Sequence, residues 1–353
     1  MSVTQARYVA DVWTSNVDKH SVDGEVPVRL CNYTDAYKSD TVEPHAGLMT
    51  ATATPDELHR FRLKTGDTVL TKDSEDPGDI GISAFITDTA PDFVCGYHLA
   101  IARPREATHP RFLTWALRAQ PALDHFSTHA SGISRYGLGL GELRATPIPV
   151  HDFDRQRRIA DFLDDRAARI DQIINARKQQ VQHAREAHLE QARVLTTRGL
   201  DSATRPSGVD WMPTVGRRHE LWRVGQAFDT GSGTTPRSDR TEFYGGDVPW
   251  VTTSDLRDTK SVTPLRTVSS EALTAYTALT VYPAGTLLVA MYGATVGRVG
   301  ILAVDAAVNQ ACCALVPRAA IDPTYAFYWL LAHRTDIMRL ASGGGQPNIS
   351  QDI

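Results

Sequence analysis

The sequence lacks any apolar run of the roughly 18 residues needed to span a membrane. Its N-terminal stretch, Met1–Trp13, has neither the basic region nor the apolar core of a secretory signal. Together these absences lead us to expect a protein of the cytoplasm, with no membrane partner. Only 4 cysteines are present, Cys31, Cys95, Cys312 and Cys313, and none forms a CxxC pair. That argues against a zinc ribbon or a thioredoxin-like couple and for reduced, buried thiols. An excess of positive charge is missing too. Residues 1–150 hold 14 Lys and Arg against 19 Asp and Glu, residues 151–200 hold 10 against 8, and residues 201–353 hold 13 against 14. A chain that gripped a nucleic acid unaided through its phosphates would carry a basic block, so any such grip must borrow positive surface from a partner.

Signatures of catalysis are absent as well. No GxxxxGK[ST] phosphate loop occurs, no GxGxxG follows a strand, and no Asn/Asp-Pro-Pro-aromatic segment marks an amino-methyltransferase. The glycine-rich GATVGRVG (Gly293–Gly300) lies between apolar strand-like runs and offers no helix N-terminus to a phosphate. The acidic KDSEDPGD (Lys72–Asp79) reads as a solvated loop rather than a nuclease centre. His183 and His188, five residues apart, miss the i, i+4 geometry of a helical metal pair. No catalytic residue, cofactor or metal is therefore expected.

What is present is a chain of 353 residues, 42% of them apolar, enough for about two ordinary cores. Its clearest element is a helix that starts after Pro147 and Pro149, with Asp152 or Asp154 as N-cap, and stops at Gly199. It runs for about 45 residues without Gly or Pro, roughly 65 Å, long enough to act as a spacer. Ile159, Leu163, Arg166, Ile170 and Ile173 follow a 4-3 spacing, widened by Phe162 and Ile174, as in a helix that packs lengthwise on another. Beyond Arg177 the stripe thins to Val181, Ala184, His188 and Leu195.

The flanking segments are rich in Gly, Pro, Thr and short apolar runs, the pattern of strand-rich mixed domains. They also resemble each other. LKTGDTVLTKD, HLAIARP, FLTWAL and ASGISRYGLG follow in order in the first; VYPAGTLLVAMYG, ACCALVP, FYWLL and ASGGGQPNIS follow in the second. The pairs Gly66/Gly285, Pro104/Pro317, Trp115/Trp329 and Gly132/Gly343 keep nearly constant offsets, which indicates a duplicated domain with small insertions. The expected fold is α+β: a first strand-rich domain over 1–150, a coiled-coil-type spacer helix over 151–200, and a second domain over 201–353. If the halves are repeats, a second helix is expected after the second domain, about where this sequence stops at Ile353.

Taken in order, these segments resemble the specificity subunits of type I restriction-modification systems. GSGTTP (Gly231–Pro236), YGGDVPWVTTSDL (Tyr244–Leu256), PAGTLLVAMYGATVGRVGIL (Pro283–Leu302), VNQACCALVP (Val308–Pro317) and GGGQPNIS (Gly343–Ser350) look like that family's target-recognition domain. VRLCNYTDAYK (Val28–Lys38), LKTGDTVLTKD (Leu63–Asp73) and CGYHLAIARP (Cys95–Pro104) look like another variety of it, and Ile148–Ile174 is similar to the family's central spacer. The resemblance implies a non-catalytic reader of double-stranded DNA, serving host defence. Each domain reads half of a split target and the spacer sets the gap. Methyltransferase subunits, and through them a motor-nuclease subunit, perform the chemistry. Family members usually have two antiparallel spacer helices, so the Ile159–Ile174 stripe needs cover from a partner subunit, a second copy of the chain or a tail.

Sequence readout needs polar or aromatic side chains on loops that can enter a groove. In the first domain the candidates are Lys72, Ser74, Tyr97, His98, Ser134, Arg135 and Tyr136. In the second they are Thr234, Thr235, Arg237, Tyr244, Ser254, Tyr292, Thr295, Arg298, Gln346 and Asn348. Ser and Thr beside glycine also cap turns, and Tyr97 or Tyr292 could fill core. Trp250, flanked by apolar residues, reads as core. Asn309 and Gln310, where the repeat places Gly96 and Tyr97, read as a buried amide pair fixing a loop. Two other readings stay open on the residues alone: a methyltransferase or nuclease with unrecognised motifs, and a coiled-coil scaffold that binds no DNA.

Overall fold

The structure, a computed structural model, describes residues 2–200, 202–318, 321–339 and 349. The chain divides into two compact units, residues 1–175 and 176–353. In the N-terminal unit a five-stranded sheet runs in the order Ala10–Thr14, Leu99–Pro104, Thr68–Thr71, Ser83–Ile86, Thr41–Val42. All pairs are antiparallel except the last, which is parallel. The side-chain period of two sends alternate residues into two cores. Leu70 and Ala100 pack with helix Pro110–Leu117 on one face, while Val69 and Ile101 pack with Phe93 and Ile86 on the other. Because both faces are covered, Thr68–Thr71 is buried at every residue. A smaller sheet, Met49–Ala53, Val26–Cys31 and Phe93–Cys95, is antiparallel and then parallel.

The C-terminal unit repeats this plan. Its five strands are Phe228–Gly231, Cys312–Pro317, Leu287–Ala290, Val299–Leu302 and Thr259–Val262, in the same order and with the same parallel last pair. Thr267–Val268, Tyr244–Val251 and Ala306–Val308 form the smaller sheet, again antiparallel and then parallel, with Val281–Tyr282 added. The repeat seen in the sequence therefore has a structural basis. Gly66 and Gly285 adopt φ of +94° and +87°, a region that favours glycine. Their amides donate to Ile86 and Leu302 at 2.9 and 2.8 Å, closing the same turn in each unit. Pro104 and Pro317 end equivalent strands, and Trp115 and Trp329 lie on equivalent helices, each with Pro in its first turn. Gly343, the fourth marker, lies outside the described residues.

The long helix is Phe153–Arg198, 46 residues, about 69 Å at 1.5 Å per residue. Asp152 caps it, its Oδ1 accepting from the Arg155 amide at 2.8 Å, and Gly199 ends it at φ +67°. Its beginning is anchored in the N-terminal unit. Ala160 is buried and Ile159 packs against the core of Phe112 and Leu113. Asp164 accepts a fork of hydrogen bonds from Arg111 and another from Trp115 Nε1 at 2.8 Å. Burial pushes the Asp164 carboxyl up, but these donors outweigh it and leave the pKa below its ordinary value.

The helix end is anchored in the C-terminal unit by different chemistry. Arg193 pairs with Asp336 at 2.9 Å, Thr197 Oγ1 lies 3.1 Å from His333 Nε2, and the Tyr325 hydroxyl donates to the Thr196 carbonyl. Of the predicted packing stripe, Ile159 and Leu163 are half-buried, whereas Phe162, Ile170, Ile173 and Ile174 are exposed in this chain. All four thiols are buried as expected, and burial pushes Cys312 up to about 12 and Cys313 up to about 11. Such thiols are unreactive. Among the described residues no helix is long and apolar enough to cross a membrane.

Candidate nucleic-acid interface

In the N-terminal unit the site begins where strand Val26–Cys31 ends. Asn32 accepts from the Tyr33 amide, and its own amide donates to Asp35 Oδ2, both at 2.8 Å. This capping box launches helix Tyr33–Lys38 and stacks Tyr33 on Tyr37, one turn on, with ring centres 5.4 Å apart. Gly96 lies against the same strand end: a Cβ there would come within 2.8 Å of the Cys31 carbonyl. That close approach brings in the turn carrying Tyr97 and His98, whose rings are 3.6 Å apart, with His98 edge-on to Tyr33.

Around His98 the charges alternate. Its Nδ1 lies 2.8 Å from Asp73 Oδ2 and 3.0 Å from Arg135 Nη2, while Lys72 sits 3.4 Å from Asp73 and over the Tyr97 ring. Tyr136 pairs in register with Ser74. The result is a cleft of about 510 Å³ whose lining includes Tyr33, Tyr97, His98, Arg135, Asp73 and Asp79. Ser74 lines it too, Lys72 and Tyr136 border it, and Ser134 is exposed on the adjoining loop. Thus six of the seven candidates meet at one place.

Sequence reasoning missed Asn32, Tyr33, Tyr37, Asp73 and Asp79. The signal was Asn32 followed three residues later by Asp35, with two tyrosines four apart. The Tyr37 hydroxyl donates to Asp79 at 2.6 Å, which raises its pKa; burial raises that of Tyr33.

The equivalent strand end in the C-terminal unit carries other side chains. Thr252 and Asp255 form the capping box, and the Asn309 amide donates to the Val251 carbonyl at 3.0 Å, as Gly96 does to Cys31. Arg266 Nη2 donates to Thr252 and Ser254 at 2.6 and 2.7 Å. Gln310 stands where Tyr97 stands and accepts from Thr235 Oγ1 at 2.6 Å. It is exposed, not buried as expected, because the strand Ala306–Val308 has already ended and the amide pair lies on the turn.

Thr234 and Thr235 reach this place because Gly233 presses on the Val308 carbonyl, leaving no room for a Cβ. Tyr244 donates to the Pro236 carbonyl, and the Arg237 amide donates to the Tyr276 hydroxyl at 3.2 Å. Tyr292, Thr295 and Arg298 sit elsewhere, on the turn between Leu287–Ala290 and Val299–Leu302. There Tyr292 packs against the core of Met291 and Phe327, while Arg298 is exposed. Trp250 is buried, as expected. Gln346 and Asn348 lie outside the described residues. Arg266 and Tyr276 were missed, and Gln310 was read only as a buried amide.

Each unit thus presents loops with mixed donors and acceptors and, in the first, stacked rings, which is the equipment for reading base edges. Residues 219–353 match the family model of the type I restriction modification DNA specificity domain. Among its relatives, the specificity subunit of type I restriction enzyme MjaIX from Methanocaldococcus jannaschii is 28% identical over 120 residues, 32% of this chain and 27% of that one. The matched stretch therefore spans about a quarter of that curated relative. A chain from a structure of type I R-M complex assembly and conformational transition shares the fold with TM-score 0.62 at 17% identity, covering 99% of this chain and 83% of that one. The HsdS subunit from Thermoanaerobacter tengcongensis aligns with TM-score 0.47 at 16% identity, over 99% and 83%.

Proposed function

We propose that this chain is the specificity subunit, the non-catalytic, sequence-reading component, of a cytoplasmic type I restriction-modification complex, each unit reading one half of a bipartite duplex. The observation that carries this reading is the repetition of one two-sheet fold at the two ends of one helix, with the framework kept and the loop side chains changed. The cleft around Tyr33, Tyr97, His98 and Arg135 would read one half, and the loops of Thr235, Ser254, Arg266 and Gln310 the other. Phosphate grip would come from methyltransferase subunits, through which a motor-nuclease subunit joins, because the chain itself carries 37 basic against 41 acidic residues.

The test is to co-express the chain with its methyltransferase subunit, map the methylated sites, and measure duplex binding with and without that subunit. A bipartite site, bound tightly only by the complex, is expected. Nanomolar specific binding by the chain alone at physiological salt would overturn the borrowed-charge account, and methylation without a two-part consensus would overturn the division of labour. The exposed Phe162, Ile170, Ile173 and Ile174 supply the assembly surface in this reading. Replacing both Ile170 and Ile173 with Asp should abolish co-purification of the methyltransferase subunit while circular dichroism stays unchanged.

A further inference from the structure

We propose that His125, His129 and Glu142 form a site for a divalent transition-metal ion of the zinc class, which ties together the base of the loop carrying Ser134, Arg135 and Tyr136. His125 and His129 lie one turn apart on helix Gln120–His129, with ring centres 4.2 Å apart. Glu142 comes from the next helix, Leu140–Ala145. One ligating atom from each residue lies within 4.8 Å of the other two. The spacing of four between His125 and His129 is that of a helical metal pair, which the five between His183 and His188 is not.

The remaining ring nitrogens are already engaged in the way a metal site requires. His129 Nδ1 lies 2.8 Å from the His125 carbonyl oxygen, so it donates there and leaves Nε2, 3.9 Å from Glu142 Oε2, free to ligate. His125 Nε2 lies 2.9 Å from the Glu142 carbonyl oxygen, so it donates there and leaves Nδ1 free. Backbone carbonyls of this kind fix the tautomer and orientation of ligating imidazoles. With metal–ligand bonds of about 2.1 Å, a tetrahedral site needs ligand atoms about 3.4 Å apart. Rotation of the exposed His129 and half-buried Glu142 can close that difference. Two imidazoles and one carboxylate suit Zn²⁺ rather than Mg²⁺ or Ca²⁺, which take oxygen ligands, and a water would complete the shell.

The position of the site gives it a role. His129 ends one helix and Glu142 stands in the first turn of the next, so an ion bridging them would close the loop between. That loop is already pinched by the Ser131 and Gly137 backbones, which bond each other at 3.1 and 2.9 Å, and its tip residue Ile133 is 97% exposed.

The experiment is calorimetric titration of the full chain with ZnCl₂ in excess Mg²⁺, alongside protease cleavage between residues 130 and 139 with and without zinc. One saturable site is expected, with zinc slowing cleavage. His129→Ala and Glu142→Gln should each weaken zinc binding roughly tenfold or more and remove the protection while circular dichroism stays unchanged, and His183→Ala should alter neither. Absence of saturable uptake, displacement by Mg²⁺, or uptake unchanged in both variants would overturn the site. Uptake without slowed cleavage would overturn its role at the loop.

Discussion

Ser15 and Gly233 occupy the same place in two copies of one fold, and they meet the same neighbour in different ways. Each follows the first strand of its five-stranded sheet, five residues beyond the position paired with Pro104 or Pro317. Ser15 Oγ donates to the Cys95 carbonyl at 2.6 Å. Gly233 has no side chain and packs so closely on the equivalent Val308 carbonyl that any Cβ would overlap it. The backbone frame is thus held by a buried hydrogen bond in one unit and by bare contact in the other. The frame is common property, and the means of holding it are free to change, as are the loops built on it.

Substitution at the two positions should have unequal effects. Gly233→Ala forces Val308 and the strand behind it apart and should cost about 3 kcal/mol of stability in the C-terminal unit, dragging Thr234 and Thr235 away from Gln310. Ser15→Ala leaves a buried carbonyl without its donor and should cost about 1–2 kcal/mol in the N-terminal unit. Denaturant unfolding followed by hydrogen exchange in each unit separates the two; equal costs would mean that the contacts at Gly233 relax more freely than the geometry allows.

The two anchors of the long helix differ in a second way, which acid should reveal. Burial, with Arg193 nearby, holds the His333 pKa below its ordinary 6.5, against the opposing pull of Asp336 and Glu190. Below pH 6.5 the unfolded state takes up a proton that the folded state resists, so this anchor loses stability as pH falls toward the lowered value. Asp164 also has a lowered pKa, from an ordinary 3.8. Its contribution is fully present above about pH 4 and is lost only as pH falls through the lowered value. Between pH 7 and 5, the amide protection factors around residues 192–197, corrected for the intrinsic exchange rate at each pH, should therefore fall while those around residues 160–164 hold. His333→Gln should flatten the difference. Simultaneous loss at both ends would show that the helix responds as one cooperative element.

What the sequence made legible follows from this division between frame and loops. The helix boundaries were readable because Asp152 and Gly199 act locally, through one cap and one left-handed residue. The duplication was readable because Gly66 and Gly285 are needed for the same turn. The cleft was only half readable. Tyr97, His98 and Arg135 stood out close to glycines and Lys72 at the end of a repeated motif, whereas Tyr33 and Asp79 join them through pairings between residues far apart in the chain, which no local pattern reports. Likewise Tyr292 looked like a loop residue beside Gly293, but it packs on the core because the strand before it is covered on that face.

The smallest predicted effect falls on base discrimination. If the two units read different half-sites with different chemistry, the stacked, carboxylate-rich cleft and the hydroxyl-, amide- and arginine-bearing loops should fail independently. His98→Ala releases Asp73 and Arg135 from their shared partner, and Ser254→Ala removes one acceptor from Arg266. Each should cost about 1 kcal/mol against the correct base, roughly fivefold in affinity. The first should relax discrimination in one half-site only and the second in the other only, as measured by binding of the assembled complex to duplexes randomised in one half at a time. Because neither group is predicted to hold phosphate, the salt dependence of binding should be unchanged in both variants. A shift in salt slope would move the residue concerned from reading bases to gripping the backbone, and relaxation in both halves at once would mean that the two units do not read separately.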